Sequence, residues 1–359
     1  MQYTIERMLK SMKETIEKRE FIERHRNNSS DFSRKRNLSF GEIVEFVIGN
    51  MGTTLDFEVL NFMSGRSQSV TSSAISQARD KIKSSAFEEI FKTNSSEIPV
   101  RHTYRGYRVT AYDGMKGELP KTAELMKKGC ISEKNGYPQF TALAEYDVLN
   151  CFYTNAVFHV GSLDERAGAI ELLKKHEYAG EEIFLLDRGF PSMAMIQQLE
   201  KSGKKYVMRV SKSFLREVNE FRESDSTDEV IQINYDKRRG ATSRLKDVEL
   251  PYSFALRCVK IELDSGECEI LVTNLSKDEF SRKAIGELYN LRWKIETGFL
   301  HLKYAVCIED FIGVKENSIK QEFFASLFKA NLFMLFVDVA NHIIFNKKKR
   351  LRSMNTSVM

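Results

Sequence analysis

The stretch Tyr289-Asn-Leu-Arg-Trp-Lys-Ile-Glu-Thr-Gly-Phe-Leu-His-Leu-Lys303 combines polar and apolar positions in an unusual way. In a single helix each residue turns by about 100°, so four polar side chains share a face about 60° wide. Burying unpaired charges on such a face is costly, yet the neighbouring positions are apolar and must pack inward. The stretch is therefore either a surface ladder of ion pairs or a functional face. The four residues are Tyr289, Arg292, Glu296 and Lys303.

Length and composition place limits on the class of protein. A chain of 359 residues predicts two or three structural units. Charged residues make up 29% and hydrophobic residues 42%, which is typical of soluble globular proteins. The sequence has no apolar run of membrane-spanning length and no hydrophobic signal core, so we expect a cytoplasmic protein without a membrane partner. Five scattered cysteines favour reduced core thiols over disulfides or a zinc site. They are Cys130, Cys151, Cys258, Cys268 and Cys307.

The distribution of positive charge permits a polyanionic partner. Net charge is +5 and the isoelectric point is about 8.7, which is a mild excess. Clusters of Lys and Arg suit the neutralisation of phosphates, although each cluster taken alone is more often a solvated surface run. The clusters lie at residues 24–26, 34–36, 237–239 and 347–350.

The first 100 residues predict an all-helical region. Ser39 precedes an apolar helical pattern and Glu42 follows it by three residues, which is the signature of a capping box. Residues 70–82 predict a polar, basic helix after a glycine turn, compatible with a helix-turn-helix arrangement. An ordinary helical hairpin has the same pattern. The side chains available for DNA on this helix are Gln77, Arg79, Lys81 and Lys83.

From residue 104 the pattern changes to alternating strands and helices. A first strand is predicted to end at an Asp-Gly turn at Asp113, and a short buried strand at residues 182–186 is followed by Asp187 and another glycine turn. Two strands at residues 140–149 and 152–160 are joined tightly. The predicted order is three strands, helix, strand, helix and strand, with helices at residues 164–176 and 193–201 and the last strand at 205–210.

Residues 211–281 predict a β-rich insertion in this pattern, with strands at 230–235, 254–263 and 269–273 and a turn at 264–266. The motif from Asp278 to Ser281 then opens the helix that carries the Tyr289–Lys303 face. Residues 323–345 predict an apolar core helix, because Lys329 and Asp338 interrupt the run. The basic tail that follows is predicted to be flexible.

Two aspartates at strand ends and a glutamate on a later helix are what a site for two divalent cations requires. Carboxylates are the hard oxygen ligands that Mg²⁺ prefers, and rigid strand ends hold them in place. Two such ions activate a nucleophile and stabilise the leaving oxygen in an in-line phosphoryl transfer. The competing interpretation of Asp113 and Asp187 is ordinary turn chemistry, since Asp before Gly is common in turns.

These residues carry a family resemblance. The pattern Tyr289-x2-Arg292-x3-Glu296-x6-Lys303 is similar to the Tyr-Arg-Glu-Lys signature of DDE transposases of bacterial insertion-sequence family four. The segment Asp113-Gly-Met-Lys-Gly-Glu-Leu-Pro120 resembles the region of that family's first catalytic Asp. Leu186-Asp187-Arg-Gly-Phe resembles the region of its second. The three motifs occur in order, between about residue 100 and residue 345.

The resemblance implies an α/β, ribonuclease H-like catalytic core and a cut-and-paste DNA transposase. It implies cutting at terminal inverted repeats and joining of 3′ ends to target DNA, with a homodimer holding the two ends and Mg²⁺, or Mn²⁺ in its place, as cofactor. Asp113, Asp187 and Glu296 become the catalytic, metal-binding triad. The candidates for DNA contacts are Tyr289, Arg292, Lys303, Arg188 and Lys116.

The expected domains follow from the pattern and the resemblance together. They are a helical DNA-binding domain (1–100), the first part of the core (101–210), the β-rich insertion (211–281), the second part of the core with the glutamate helix (282–345) and a basic flexible tail (346–359). We expect a cytoplasmic, nucleoid-associated protein.

One departure from the family concerns the hairpin step. Some members use a Trp in the insertion to stack a flipped base, but the only Trp here is Trp293, within the glutamate helix. Either Phe254 or Tyr252 substitutes, because base stacking accepts several aromatic rings, or the step differs. Two other functions fit the same residues: a DNA-binding protein, regulatory or domesticated, that no longer transposes, and a metal-dependent endonuclease without strand transfer.

Overall fold

A computed structural model describes residues 2–34, 38–67, 69–128, 130–234, 253–262 and 266–356. The chain forms two compact units. The first contains Met1–Pro99, Gly117–Phe140 and Phe299–Met359, and the second contains Val100–Lys116 and Thr141–Gly298. The first unit thus takes in the predicted helical region together with residues from near the other end of the sequence.

Helices dominate the first unit. The side chain of Ser39 accepts a hydrogen bond from the Glu42 amide while the Glu42 carboxylate accepts from the Ser39 amide, so the predicted capping box is confirmed. Thr71 caps the polar helix that was predicted for residues 70–82. The helices are α1 (Gln2–Glu17), α2 (Arg19–His25), α3 (Phe40–Gly49), α4 (Leu55–Met63), α5 (Ser72–Arg79), α6 (Ser85–Ser96) and α7 (Ala123–Lys128).

A long helix, α13 (Glu316–Thr356), supplies much of the core of this unit. It packs against α1, α3 and α6, and Phe323, Leu327 and Phe328 are buried there. By length and composition the part Glu316–Ile344 could cross a membrane, but half of its most apolar window is buried inside the protein. It is a core helix, as predicted. The backbone stays helical to Thr356, since residues 345–356 contain no Gly or Pro and several strong helix formers. The flexible tail expected for residues 346–359 stays a prediction.

One residue expected to face DNA is buried in this core. Arg79 is paired with Glu322 and donates to the Ser318 carbonyl and to Gln321, all on α13. The prediction for Arg79 is wrong because its side chain satisfies a buried carboxylate between two packed helices. Gln77 and Lys81 instead line a groove of about 910 Å³ together with Arg34.

The described strands form one mixed sheet in the order β2-β3-β1-β5-β6-β9-β8-β7, with β4 paired to β3. Strands β1, β5 and β6 run parallel to one another, whereas β6 pairs with β9, β9 with β8 and β8 with β7 in antiparallel fashion. The bounds are β1 (Arg108–Glu118), β2 (Cys130–Ile131), β3 (Pro138–Asp147), β4 (Phe152–Val160), β5 (Glu182–Leu186), β6 (Lys205–Arg209), β7 (Asp228–Asn234), β8 (Ser253–Glu262) and β9 (Cys268–Thr273).

Helices of the second unit cover a core of buried side chains from β5, β6, β8 and β9, including Phe184, Met208 and Val272. Asp164 caps the first of these helices through the amides of Arg166 and Ala167, as predicted. The helices are α8 (Glu165–Lys174), α9 (Met193–Lys201), α10 (Arg216–Glu223) and α11 (Arg282–Asn290). Helix α10 was missed because its sequence is mostly charged; only Val218 and Phe221, three residues apart, are buried.

Two predicted local structures are wrong. Strand β1 does not end at Asp113 but continues to Glu118, because Gly114 does not take the positive φ of a turn and the strand lies beside β3. The stretch from Tyr289 to Lys303 is not one helix, because a 3₁₀ turn, Leu291–Trp293, separates α11 from α12 (Lys294–Ala305). A 3₁₀ turn advances about 120° per residue, which rotates Arg292 relative to an ideal α-helix.

The cysteines with described side chains are free thiols, but they are not all in the core. Cys258 is buried, Cys151 and Cys307 are partly buried, and Cys268 is exposed at the start of β9. The expectation of core thiols therefore holds only for Cys258. Outside the described residues lie several other predictions: the cluster at 237–239, most of the cluster at 34–36, most of the turn at 264–266, and Tyr252.

A buried charge cluster joins the beginnings of β1 and β5. Arg108 Nε lies 2.9 Å from Asp147 Oδ2 and 3.8 Å from Glu182 Oε1. His176 is 4% exposed; its Nδ1 lies 3.0 Å from Glu145 Oε1 and its Nε2 lies 2.6 Å from Glu182 Oε2. Burial lowers the pKa of His176, but the hydrogen bonds and charges of Glu145 and Glu182 outweigh it and raise the pKa to about 9. The protonated form of His176 therefore stabilises the folded state through its contacts with Glu145 and Glu182.

We predict that this cluster makes stability fall at alkaline pH. Because the pKa of His176 is raised by folding, its contribution is complete below about pH 6.5 and is lost as pH rises through about 9. The expected loss is about 2–3 kcal/mol, measured as the free energy of denaturant unfolding between pH 6 and pH 10. The variant His176→Gln should be less stable at pH 6 and show a flatter profile. Identical profiles for the two proteins would contradict the assignment.

Candidate active site

Strand register brings two of the predicted site residues together. The last β1–β5 pair is Tyr112 with Leu186, and the last β5–β6 pair is Leu186 with Met208. The next residues along these parallel strands are Asp113, Asp187 and Arg209. Neighbouring strands lie about 4.8 Å apart, so the three residues form a row across one edge of the paired region.

Asp113 is a partly buried carboxylate with two polar neighbours. Its Oδ1 accepts a hydrogen bond from the Gly114 amide at 2.8 Å, and its Oδ2 lies 3.6 Å from Arg292 Nη1. Burial raises the pKa of Asp113 to about 6, although the Gly114 amide and Arg292 lower it; Glu296 and Asp187 add a smaller upward effect. Asp113 therefore begins to lose its charge within the range of mildly acidic buffers.

Asp187 is contacted from two other elements. The Tyr289 hydroxyl of α11 donates to its Oδ1 at 3.3 Å, and Arg209 Nη1 lies 3.9 Å from the same oxygen. Arg209 also pairs with Glu269 of β9 at 2.9 Å. Sequence reasoning missed Arg209, and the signal that could have identified it is its position at the end of a strand parallel to the one that precedes Asp187.

Glu296 lies in the first turn of α12 and is 43% exposed. Arg292 Nη2 donates to its Oε1 at 3.1 Å, so this guanidinium contacts both Asp113 and Glu296. The Arg292 side chain is only 2% exposed, and its Cζ lies 4.6 Å from the centre of the Trp293 ring, which is itself half exposed. Arg292 thus links Asp113 with Glu296. Asp187 is contacted separately, by Tyr289 and Arg209.

The residues predicted to contact DNA differ in their surroundings. Tyr289 and Arg292 are buried and face the carboxylates, and Arg188 is exposed next to Asp187. Lys116 is exposed three residues beyond Asp113 on β1, a separation that places the two side chains on opposite faces of the strand. Lys303, in the last turn of α12, belongs to the first unit, where its Nζ pairs with Glu309 Oε2 at 3.0 Å. Of the aromatics considered for a hairpin step, Phe254 packs against the hydrophobic core of the second unit.

A fourth carboxylate lies close to this row. A Cβ atom at Gly114 would stand 3.4 Å from Glu165 Oε1, and one at Gly189 would stand 3.4 Å from Oε2 of the same side chain. Gly114 and Gly189, which follow Asp113 and Asp187, therefore lie close to the carboxylate of Glu165, at the start of α8. Sequence reasoning did not single out this residue, because nothing near it in the chain distinguishes it from an ordinary first-turn glutamate.

The chemistry of the donors fits a divalent metal ion. Asp113, Asp187 and Glu296 offer only carboxylate oxygens, the ligands that Mg²⁺ and Mn²⁺ favour over Zn²⁺. Within the described part of the chain, however, no three His, Cys, Asp or Glu side chains are already arranged to hold an ion. The carboxylates are partnered instead by guanidinium groups and the Tyr289 hydroxyl.

Comparison with known structures defines the class. A piggyBac transposase, solved in a synaptic complex with hairpin DNA, superposes with a TM-score of 0.53 over 92% of this chain and 75% of that one, at 12% identity. The fold is therefore the ribonuclease H-like fold of transposases, as the sequence predicts.

Residues 104–332 match the family model described as the transposase DDE domain, and the chain belongs to that family. Transposase InsG for insertion sequence element IS4 of Escherichia coli K12 is 22% identical over 287 residues, which cover 76% of this chain and 63% of InsG. Putative transposase InsL for element IS186A of the same organism is 28% identical over 196 residues, 45% of this chain and 53% of InsL. The chain spans less than two thirds of the length of these relatives, and the predicted family is confirmed.

We predict that Asp113→Asn stabilises the metal-free protein. Because burial raises the pKa of Asp113 above its usual 3.8, the stability of the wild type is complete below that pH and falls as pH rises through about 6. At pH 8 in EDTA the variant should unfold with a free energy higher by up to about 3 kcal/mol. At pH 4 the difference should disappear. Asp278→Asn, at an exposed position, is the control, and an equal gain there would refute the assignment.

Proposed function

We propose that this protein is a DNA transposase that cuts at the terminal inverted repeats of an insertion sequence and joins the 3′ ends to target DNA. The observation that carries the proposal is the position of Asp113 and Asp187 at adjoining strand positions, with Glu296 joined to Asp113 through Arg292. Family membership supports the same chemistry. The proposal includes the cytoplasmic, nucleoid-associated location and the absence of a membrane partner.

Asp113, Asp187 and Glu296 are the proposed ligands of divalent cations, Mg²⁺ by preference and Mn²⁺ in its place. When bound, such ions activate a water or a 3′-hydroxyl and stabilise the leaving oxygen. The protein contributes a rigid sheet that fixes the two aspartates and a helix that presents the glutamate. It also contributes the Tyr289 hydroxyl and the guanidinium of Arg209, which orient Asp187.

DNA phosphates are the proposed ligands of the cationic side chains around the triad. Arg188 is exposed next to Asp187 and can reach a backbone without rearrangement. Lys116 is exposed further along β1 and would contact a phosphate at a greater distance from the triad. Lys303 can contact a phosphate on release from Glu309, and Arg292 and Tyr289 on release from the carboxylates. We propose that a homodimer holds the two element ends, because both ends must be cut and joined together.

We predict a division of roles among these residues. Asp113→Asn, Asp187→Asn and Glu296→Gln should each lower cleavage of DNA carrying the element's ends by about 1,000-fold or more while leaving DNA binding nearly intact. Lys303→Ala should weaken complexes with cleaved ends and retain nicking at high protein concentration. The measurements are gel assays of binding and of nicked, hairpin and joined products. Equal loss of binding in all four variants would contradict the division.

The products and the metal also distinguish the competing functions. Nicks without joined products indicate a metal-dependent endonuclease, and binding without cleavage indicates a DNA-binding protein that no longer transposes. Activity should be high in Mg²⁺ and Mn²⁺ and poor in Ca²⁺, whose longer bonds and looser geometry position the reacting oxygens less well. Activity in EDTA, or activity strongest in Zn²⁺, would exclude the roles given to the three carboxylates.

We also propose that the helical region of residues 1–100 binds DNA, supported by the groove beside α5 that Arg34, Gln77 and Lys81 line. Because α13 completes the core around α1, α3 and α6, this proposal is best tested in the full chain.

The prediction is that Lys81→Ala reduces the slope of log affinity against log salt concentration by about 1, the effect of one lost phosphate contact. Fluorescence anisotropy of a labelled duplex at several salt concentrations measures the slope. Lys13→Ala, exposed on α1 and away from the groove, serves as the control. An unchanged slope for Lys81→Ala would remove this residue from the interface.

A further inference from the structure

The side chain of Arg292 lies where the proposed metal ligands meet. Its Nη2 donates to Glu296 Oε1 at 3.1 Å, and its Nη1 lies 3.6 Å from Asp113 Oδ2. One guanidinium therefore neutralises two of the three carboxylates at once. If Asp113 and Glu296 held a divalent cation, these same oxygens would have to be its ligands, and the guanidinium would repel it at close range.

Arg292 is also incompletely satisfied. The side chain is 2% exposed, yet its Nε has no hydrogen-bond partner among the described residues. Its flat face lies against the ring of Trp293, which contributes a cation–π contact but accepts none of the N–H groups of the guanidinium. A buried donor without an acceptor is unfavourable, and a phosphate oxygen is a strong acceptor for it.

Arg209 provides a comparison within the same site. Its Nη1 lies 3.9 Å from Asp187, but its Nη2 pairs with Glu269 at 2.9 Å, a carboxylate outside the proposed triad. Arg209 is thus anchored to the sheet independently of the metal ligands. Among the described residues, Arg292 has ion-pair partners only within the proposed triad, Asp113 and Glu296.

We propose that Arg292 is a displaceable counter-cation, which holds Asp113 and Glu296 in the metal-free protein and is drawn away by a DNA phosphate, so that these two carboxylates become free to hold a divalent cation. This inference rests on the proposed function of the same site. Its consequence is thermodynamic coupling: DNA raises metal affinity and metal raises DNA affinity by the same factor, through one side chain. The protein without DNA then binds the catalytic metal weakly.

The test is the affinity of the full-length protein for Mn²⁺, measured by calorimetry and by the electron paramagnetic resonance signal of free Mn²⁺. Each variant is titrated with and without a blunt duplex of about 30 base pairs, at constant ionic strength. For the wild type we expect DNA to tighten Mn²⁺ binding by about tenfold or more, within the usual range of such coupling. For Arg292→Gln we expect tenfold tighter binding without DNA and a gain from DNA of less than about threefold.

Two further variants act as controls for charge and shape. Lys283→Gln removes an exposed cation of α11 outside the site and should keep the gain from DNA. Arg292→Lys keeps the charge but not the two-pronged contact, so its affinity without DNA should fall between those of the wild type and Arg292→Gln. If Arg292→Gln fails to fold, this intermediate affinity in Arg292→Lys carries the test, and an affinity equal to that of the wild type contradicts the proposal.

The outcomes separate this inference from the proposed function. If Asp113→Asn does not weaken Mn²⁺ binding, the proposed metal site itself is wrong. If Asp113→Asn does weaken it, but Arg292→Gln binds Mn²⁺ no more tightly than the wild type, the metal site stands and the counter-cation proposal is overturned. Equal wild-type affinities with and without DNA overturn it as well.

Discussion

The parallel register of β1, β5 and β6 is the constraint on which the candidate site depends. Side chains alternate between the two faces of a strand, so a slip by one residue would exchange the face of every side chain that follows. Tyr112, Leu186 and Met208 are buried in the same hydrophobic core and fix the alignment of all three strands. The apolar core thereby determines where Asp113, Asp187 and Arg209 lie, although none of these three residues belongs to it.

Charge is buried at both ends of the β1–β5 pair, but it is balanced in different ways. At the beginning of the strands, Arg108 and His176 neutralise Asp147, Glu145 and Glu182 in a cluster closed to solvent. At the other end, the carboxylates of Asp113 and Glu296 are 23% and 43% exposed, so a ligand can reach them from solvent. A closed cluster contributes to folding, whereas an open one can exchange partners with a ligand. This difference explains why only the second end is suited to chemistry.

The parts of the fold that could be predicted from sequence are those specified by local chemistry. Caps at Ser39 and Asp164, the buried strand before Asp187 and the strand alternation between residues 228 and 273 depend on near neighbours in the chain. The errors arose where distant residues decide. Strand β1 extends past Asp113 beside β3, and Arg79 is buried because α13 supplies Glu322.

The same distinction applies to the residues of the candidate site: some are identified by local sequence, and others only by the tertiary structure. The family motifs identified both aspartates, the glutamate and the helical stretch around Arg292, since these recur at fixed spacing. Arg209 and Glu165 were not predicted. They lie near the aspartates because of strand pairing and the position of α8, and not because of their spacing in the chain. The partners of Tyr289 and Arg292 could be identified only from the structure. The 3₁₀ turn that contains Arg292 and lies between Tyr289 and Glu296 cannot be recognised in the helical pattern of the sequence.

The first unit is built from segments at both ends of the chain, and this affects how the protein folds during its synthesis on the ribosome. Helices α1, α3 and α6 emerge early, but α13, against which they pack, is translated only after the whole of the second unit. The second unit can thus reach its folded state while these early helices still lack their main packing partner. The groove beside α5 then belongs to a unit whose core is completed only after α13 has been translated.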